Sequence, residues 1–599
     1  MRGIGRFGLR FGRTGPVGVV MTVGRLLGVL GLCLALGGPA MAQAKEGCIA
    51  LRDACEAAGF ATTGGAGKGV KIIRDCMTPL MNGVQAPGTG RMPLPEVAAT
   101  VIAACKATKD RTSRRAKGDV TATTEVGNAP AAIKPLPEGV DPGPNIVLIL
   151  VDDFSMNLMP DDLEVLSRTM PNLARMRREG MTFDNYFVNN SLCCPSRATI
   201  FTGNLPHNTG VLTNTGPTGG VAAFNGKGND QQTFGVALNG QSYATAMMGK
   251  YLNGYEADGG GIPAGWSAWA VAGNAYSNFN YTINRDGALI APEPHMTDQL
   301  SQMGREFIAA ASEGPFFLEL STYSPHAPYA PPARYAEAFA DLTYPRTPAF
   351  AARPDSHAPQ WLKDVPELNR SFIRKIDEIY RMRVQSVAGV DDMIGDIRQT
   401  LEELWLAQDT YVIFTADNGY HLGELSLRAG KMTPFDFDIK VPLIVVGPGV
   451  AAGSRVNDIA MTIDLYPTFA DLAGLSPAPT VDGQSLVPIL QGEPGPDRNM
   501  AVVEHKRAPF EAGDPDASDP KAGDPPTYVA LRMKDALYVE YLEGAGEVSY
   551  YDLTTDPYQL KNIAHTLSPR RLKALHEAAM ANLACVGAAQ CAAAQALNP

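Results

Sequence analysis

Long apolar stretches are scarce in this chain of 599 residues. Residues 26–36 form an apolar run near the N-terminus, but a helix needs roughly 18 apolar residues to cross a membrane. We therefore expect no membrane span. Charged residues are also few, at 19% against 45% hydrophobic residues, which excludes a coiled coil and wholesale disorder. The length predicts a large core with appended pieces.

Basic residues are fewer than acidic residues, at 51 against 62. The formal net charge is −11, and removal of the first 42 residues, with five arginines and no acid, would take it to −16. So acidic a protein binds polyanions poorly in general, and we expect no nucleic-acid partner. An anionic substrate would need a local basic pocket, because the one Lys/Arg-rich run, residues 111–117, lies in a predicted linker.

The first 42 residues have the features of a secretory signal. Arginines precede the apolar run, and Ala40-Met41-Ala42 forms a small-residue cleavage site. Met21 is an alternative start, because residues 21–42 alone form a compact signal with Arg25 as the charged flank. We predict a secreted or periplasmic protein.

The nine cysteines fall into groups. In an exported chain two even-numbered groups predict disulfides: Cys48, Cys55, Cys76 and Cys105 near the mature N-terminus, and Cys585 and Cys591 near the C-terminus. In the first group we expect nested pairs across a helical hairpin, Cys55 with Cys76 and the outer two with each other. Cys33 would leave with the signal, so Cys193 and Cys194 remain, and adjacent cysteines rarely bridge because the ring is strained.

Composition shifts along the chain predict five parts. They are a signal peptide at 1–42, a Cys-rich helical module at 45–108, a linker at 109–143, a catalytic domain at 144–495, and a C-terminal subdomain with a helical tail at 496–599. Two roles stay open for the Cys-rich module: a stapled spacer, or a binder of a partner or glycan.

Four apolar runs are typical of strands buried on both faces of a parallel sheet: residues 146–151, 315–320, 411–415 and 441–446. Helical patterns at 173–179 and 372–404 lie between them, so we predict an α/β sandwich around a mostly parallel sheet. Ligands in such sheets lie beyond the carboxyl ends of the strands. Asp152-Asp153, Ser324-Pro325-His326 and Asp417-Asn418 each follow a run, so these clusters should converge on one site.

Two of these clusters offer oxygen ligands only. For a single acidic pair, a helix cap or turn would be the simpler interpretation. Two pairs at strand ends favour a metal, and oxygen ligands suit Ca²⁺ or Mg²⁺ rather than zinc. We predict one Ca²⁺ held by Asp152, Asp153, Asp417 and Asn418, with Mg²⁺ as the open alternative.

Residues 193–197, Cys-Cys-Pro-Ser-Arg, match the C-x-P-S-R signature, and the chain resembles the sulfatases of the alkaline phosphatase superfamily. In that family a maturation enzyme oxidises the first Cys to formylglycine (3-oxoalanine). The resemblance runs from about residue 145 to 564, with ordered matches at 171–173, 179–183, 249–253, 325–328, 417–423, 431, 437–442 and 551–562. It implies an alkaline-phosphatase-like sandwich with a smaller C-terminal α+β subdomain.

The resemblance also implies a role for each matched side chain. The hydrate of formylglycine at 193 would carry two hydroxyls, one to attack the sulfur and one to expel sulfate later. Arg197, one helical turn on, would hold the metal or the hydrate. Lys250 and Lys431 would clamp sulfate oxygens, and His326 would protonate the leaving oxygen or contact the sulfate. Taken alone, each lysine would be interpreted as a surface charge.

One departure from the family pattern concerns Lys250-Tyr251-Leu252, where many sulfatases have Lys-Trp-His. We expect Asn253 to do part of that histidine's work. Together with Cys193-Cys194, the matches at 249–253 and 417–423 are similar to the N-acetylglucosamine-6-sulfatase and heparan 6-O-endosulfatase branch. That branch implies a sulfated sugar, with His421 either facing the substrate or serving the structure.

The sequence therefore predicts hydrolysis of sulfate monoesters, on a sulfated carbohydrate or an aryl sulfate. Two alternatives remain. One is a formylglycine-dependent phosphoester or phosphonate monoester hydrolase, since sulfate and phosphate esters share tetrahedral geometry. The other is a catalytically silent glycan-binding homologue that escapes oxidation of Cys193.

Overall fold

A computed structural model describes the chain in eight segments: residues 50–55, 57–58, 76–77, 80, 94–103, 105–106, 143–509 and 521–599. The predicted signal peptide, and the predicted linker up to residue 142, lie outside the described residues. Among the described residues, no helix combines the length and the apolar character that a membrane crossing requires.

The core of the described chain is a ten-stranded sheet. Its strands are β1 Asn145–Val151, β2 Met181–Phe187, β3 Ala244–Lys250, β4 Ala268–Ala272, β5 Ile283–Arg285, β6 Ala288–Ile290, β7 Phe316–Ser321, β8 Thr410–Ala416, β9 Leu443–Val446 and β10 Ser454–Met461. They lie in the order β10-β2-β9-β8-β1-β7-β3-β4-β5-β6. Every residue of β1, β3, β7 and β8 is buried, so both faces of the sheet centre are covered, as the continuous apolar runs predict.

Helices cover the sheet and form the C-terminal tail. They are α1 Leu163–Thr169, α2 Pro171–Glu179, α3 Cys193–Thr202, α4 Pro206–Thr209, α5 Gly220–Gly226, α6 Phe234–Gly240, α7 Met296–Ala311, α8 Gln360–Lys363, α9 Arg370–Glu403, α10 Asp436–Ile439, α11 Leu465–Leu472, α12 Val487–Leu490, α13 Pro569–Ala584 and α14 Gly587–Gln595. Short 3-10 turns lie at Met156–Leu158, Gly216–Thr218, Asn229–Gln231, Ala333–Tyr335, Ala407–Asp409, Thr462–Asp464 and Ala564–Thr566. The two predicted helical patterns correspond to α2 and α9.

Two strands depart from the parallel arrangement. β5 runs antiparallel to β4 and β6, and β9 runs antiparallel to β8 and β2. The run at 441–446 was expected in a parallel sheet, but an apolar run specifies burial and leaves strand direction open. The other neighbouring pairs are parallel, so the expected mostly parallel sheet is confirmed.

A second, smaller sheet follows the first along the chain. Its four strands are antiparallel and in sequence order: β11 Met500–His505, β12 Tyr528–Met533, β13 Ala536–Tyr541 and β14 Val548–Asp552. With α13 and α14 it forms the α+β portion that the sequence predicts for the C-terminal part. The predicted disulfide between Cys585 and Cys591 is present and joins the end of α13 to α14.

The N-terminal module is described in part. The predicted disulfide between Cys55 and Cys76 is confirmed. Cys105 is also disulfide-bonded, while its expected partner Cys48 lies outside the described residues. The buried residues of the module pack against Trp405 of the main body. Because Trp405 precedes the amino end of β8, this contact lies away from the carboxyl ends of the strands.

His207 in α4 ties the large sheet region to the C-terminal portion. Its Nδ1 lies 2.6 Å from Glu504 Oε1, and its Nε2 lies 2.9 Å from the Cys585 carbonyl oxygen. Burial opposes the charged imidazolium, but the hydrogen bond and charge of Glu504, aided by that carbonyl, raise the pKa of His207 to about 9.

The raised pKa of His207 predicts a pH-dependent stability. A group whose pKa is about 6.5 unfolded and higher when folded stabilises fully below pH ~6.5 and loses that contribution as pH rises. We therefore expect the melting temperature of the wild type to fall between pH 6.5 and 9 more steeply than that of His207→Gln. Scanning calorimetry across this range measures it, and parallel curves for the two proteins would contradict the assignment.

Candidate active site

Four adjacent strands carry site residues at their carboxyl ends. In the order β8-β1-β7-β3, these strands end at or just before Asp417, Asp152, Ser321 and Lys250. Parallel neighbours place their carboxyl ends at one edge of the sheet. The three polar clusters predicted from the sequence do meet at this edge, and β3 adds a fourth.

Acidic side chains form the base of the site. Carboxylate oxygens of Asp152, Asp153 and Asp417 lie within 4.8 Å of one another, and all three residues are buried. Asn418 Nδ2 donates to Asp153 Oδ1 at 2.6 Å, and the Asp153 backbone N–H donates to Asp417 Oδ1 at 3.2 Å. Asp153 Oδ2 and Asn418 Oδ1 are buried with no hydrogen-bond partner within the described part of the chain.

The electrostatics of these acids suit a cation. Burial and the negative charge of Asp152 raise the pKa of Asp417 to about 6. Burial also acts to raise the pKa of Asp152, but the positive charge of Lys250 and of the other nearby cations holds it well below its ordinary value. Hard oxygen donors with unsatisfied lone pairs fit Ca²⁺ or Mg²⁺. The four residues predicted as metal ligands are thus placed to hold such an ion.

Cys193 is the first residue of α3, so its side chain lies at a helix N-terminus, where the helix dipole favours negative charge. The helix ends at Gly203, whose φ of +69° is a left-handed cap that a Cβ would disfavour. Cys193 Sγ lies 3.3 Å from Asp152 Oδ1 and 2.7 Å from Lys431 Nζ. The thiol therefore lies between a carboxylate and an ammonium group.

Three cationic side chains surround this thiol, and each forms an ion pair with one acid. Lys250 Nζ lies 2.7 Å from Asp152 Oδ2, Lys431 Nζ 2.8 Å from Asp153 Oδ1, and Arg197 Nε 2.8 Å from Asp417 Oδ2. Arg197 Nη1 also donates to the Lys250 carbonyl at 2.8 Å and to Ser321 Oγ at 2.6 Å. These bonds fix Arg197 between α3 and the strand ends.

The position of Lys250 depends on a close approach between strands β3 and β7. Gly249 precedes it with φ +103°, and a Cβ at this position would lie 1.9 Å from the Ser321 carbonyl oxygen. A glycine is therefore required for β3 to meet β7 beside the site.

His326 reaches the site from the loop after β7. Its Nε2 lies 3.7 Å from Asp153 Oδ2, and its Nδ1 lies 2.8 Å from the Ala327 carbonyl oxygen. If Nδ1 donates to that carbonyl, the ring is held with Nε2 toward the acids. Tyr276 packs on the imidazole at a centroid distance of 4.7 Å, with Lys250 Nζ 5.1 Å from the Tyr276 ring.

His421 pairs with an acid outside the proposed metal cluster. It is fully buried, and its Nδ1 contacts both carboxylate oxygens of Asp438 at 2.9–3.0 Å. Its backbone exchanges hydrogen bonds with Gly430, the residue before Lys431. His421 therefore braces the loop that carries Lys431, and its contact with substrate stays a prediction. Asn253 lies near Tyr276, with Nδ2 3.5 Å from the Tyr276 hydroxyl.

Sequence reasoning missed two residues of this site, Ser321 and Tyr276. Ser321 ends β7, and Tyr276 lies four residues beyond the end of β4 at Ala272. The strand-end rule that identified the acids would have found Ser321, whereas β4 has too short an apolar run to be recognised. The strand-end rule therefore works only for strands that can be recognised as apolar runs in the sequence.

The fold and the site define a class, an alkaline-phosphatase-like α/β hydrolase whose centre pairs three buried carboxylates with three cationic side chains. Residues 144–475 match the family described as Sulfatase, and residues 430–584 match the one described as N-sulphoglucosamine sulphohydrolase, C-terminal. The chain belongs to the sulfatase family, the sulfuric ester hydrolases.

Similar proteins agree with this placement. The human N-acetylglucosamine-6-sulfatase is 33% identical over 476 residues, which cover 74% of this chain and 85% of the human protein. The predicted similarity to the N-acetylglucosamine-6-sulfatases is thereby confirmed.

Two solved structures share the fold. One, a complex with its substrate D-glucosamine-2-N,6-O-disulfate, has a TM-score of 0.61 at 23% identity and covers 73% of this chain and 96% of its own. The phosphonate monoester hydrolase of Agrobacterium radiobacter has a TM-score of 0.54 at 21% identity and covers 74% and 95%. The fold is therefore common to enzymes of different ester preference.

Proposed function

We propose that this protein hydrolyses 6-O-sulfate esters of glucosamine-type sugars, with formylglycine formed from Cys193 as the nucleophile and Ca²⁺ as the metal. The observation that carries the proposal is the position of Cys193 Sγ, between Asp152 Oδ1 at 3.3 Å and Lys431 Nζ at 2.7 Å. A nucleophile at this position has oxygen ligands on one side and a cation on the other. The similarity to N-acetylglucosamine-6-sulfatases supports the choice of sugar.

The metal would be held by Asp152, Asp153, Asp417 and Asn418, and when bound it polarises a sulfate oxygen and lowers the pKa of the attacking hydroxyl. Lys250 and Lys431 then clamp the sulfate oxygens as point charges. Their ammonium groups stabilise the negative charge that grows in the transition state, and they do so most strongly in a site that excludes water. Both lysines are 2% exposed, which meets that condition.

Arg197 and His326 complete the set. Arg197 keeps the Asp417 carboxylate in place through the 2.8 Å contact and is itself anchored on Ser321. His326 donates a proton from Nε2 to the leaving sugar oxygen, which requires the protonated imidazole. The ring nitrogen that would carry this proton lies 3.7 Å from Asp153 Oδ2. His421 would act on the sugar only through the loop that carries Lys431.

The place of action and the domain plan belong to the same proposal. Disulfides at both ends of the described chain are typical of proteins that act outside the cytoplasm. We infer a chain exported by residues 1–42, secreted or periplasmic, and activated by a formylglycine-generating maturation enzyme. A catalytic domain at 144–495 and a C-terminal subdomain at 496–599 would form the enzyme, with residues 45–108 as an appended module.

The substrate class is testable by direct comparison. We expect N-acetylglucosamine-6-sulfate, alone or at the end of a short oligosaccharide, to be desulfated faster than internal 6-O-sulfates of intact heparin. A mature charge of −16 repels a long polyanion over the Debye length of ~10 Å, which leaves only the local cations to attract one sulfate. The measurement is kcat/KM for each substrate at several salt concentrations.

Matched aryl sulfate and aryl phosphodiester substrates are the control for reaction type. Faster hydrolysis of the phosphodiester would favour the phosphonate monoester hydrolase alternative, and no turnover of any ester by protein containing formylglycine would favour the silent glycan binder. Rapid release from internal positions of heparin, weakened steeply by salt, would contradict the predicted action at chain ends.

A further inference from the structure

Arg383 lies in the long helix α9 and is one of the largest fully buried side chains, at 1% exposure. Its Nη2 donates to the Asp153 carbonyl oxygen at 2.5 Å, and its Nη1 donates to the Pro325 carbonyl oxygen at 3.3 Å. The guanidinium carbon lies 4.3 Å from the centroid of the Tyr420 ring. No carboxylate in the described part of the chain forms an ion pair with Arg383, so backbone oxygens and an aromatic face take up its charge.

These contacts join three separate loops of the site. Asp153 belongs to the loop after β1, Pro325 to the loop after β7, and Tyr420 to the loop after β8. The acceptors are close to the chemistry, because Asp153 is a proposed metal ligand and Pro325 directly precedes His326. A single side chain from α9 thus contacts the loops after β1, β7 and β8, each of which carries one of the polar clusters.

The backbone conformation of Asp153 indicates how the hydrogen bond from Arg383 can act. Asp153 has φ of +54°, the left-handed region that residues other than glycine rarely adopt. Such a conformation persists only where surrounding bonds hold it, and the bond from Arg383 acts on the carbonyl of this same residue. The direction of the Asp153 carboxylate follows from this backbone geometry.

We propose that Arg383 is a positioning residue, which holds the metal ligand Asp153 and the proton donor His326 in register and thereby sets calcium affinity and turnover. The inference rests on the proposed function, since it assigns the same ligands and the same donor. Arginine is needed because its planar fork reaches two acceptors while its face stacks on Tyr420. A lysine offers one compact ammonium that cannot satisfy both carbonyls and the ring.

The test compares Arg383→Lys with Arg374→Lys, a control on the exposed part of the same helix. Calcium affinity of the matured protein is measured by isothermal titration, beside melting temperature, kcat and KM. Replacement of a residue that hydrogen-bonds to a metal ligand typically lowers metal affinity or activity by about 10–100-fold. We expect Arg383→Lys to stay folded, to bind calcium 10–100-fold more weakly, and to lose kcat at saturating calcium with little change in KM.

The possible outcomes distinguish the role of Arg383 from the proposed function. Calcium affinity and kcat at wild-type levels in Arg383→Lys would overturn the role of Arg383 while leaving the proposed function intact. Absence of calcium binding by the wild type would overturn the proposed metal site, and this inference with it. If the lysine variant does not fold, Arg383→Gln, which keeps one amide donor, is measured with the same expectations.

Discussion

Replacing Cys193 by alanine is expected to abolish sulfate-ester hydrolysis, with a loss in kcat of about 10⁴-fold or more, because the nucleophile itself is removed. Cys194→Ala should stay active. Cys194 packs in the hydrophobic core, and its backbone N–H donates to Asn214 Oδ1. The two adjacent cysteines thus have opposite roles, one facing acids and a lysine and the other facing the core.

The chemical readout is mass spectrometry of the tryptic peptide that contains residue 193. Conversion of the thiol to formylglycine lowers its mass by about 18 Da, and fragmentation assigns the change to one of the two adjacent cysteines. Cys193→Ala should lack the shift and Cys194→Ala should keep it. Equal loss of activity from both variants, each shown to be folded by circular dichroism, would exclude Cys193 as the sole precursor.

Removal of the metal is expected to have a comparably large effect. Three buried carboxylates lie within 4.8 Å of one another, and burial together with the negative charge of Asp152 raises the pKa of Asp417 to about 6. A divalent cation offsets the negative charge of these carboxylates and stabilises the transition-state charge. Chelation should therefore abolish turnover, and added Ca²⁺ should restore it. Restoration by zinc alone would contradict an all-oxygen site.

Asp391 offers a matched control for the ligand assignment. Burial raises its pKa to about 6 as well, but it lies in α9 and accepts hydrogen bonds from the backbone N–H groups of Asn172 and Leu173 at the start of α2. Asp417→Asn should lose calcium binding measured by titration. Asp391→Asn should keep it while the melting temperature falls. Retained binding in Asp417→Asn would remove Asp417 from the ligand set.

Much of the fold could be predicted because several of its strands are recognisable as apolar runs in the sequence. β1 and β8 are mainly apolar runs, and β7 is one apart from Glu319, so the strand-end rule predicted Asp152, Asp153 and Asp417 from the sequence. The strands β4, β5 and β6 are short and lie at the sheet edge, so they left no comparable signal. The antiparallel direction of β9 could not be predicted either, because an apolar run does not specify the direction of a strand.

The sequence by itself determined which residues we predict to carry the chemistry: Cys193 by its spacing to Pro195 and Arg197, the acids by their place after strands, and the lysines by family resemblance. Only the tertiary structure decided how these residues are held. Arg383 contacts Asp153 across 230 positions of sequence, and His421 turns to Asp438 inside a buried loop. Local patterns encode strand, helix and motif, but the partners of a buried arginine or imidazole are set by packing between distant segments, which no local pattern records.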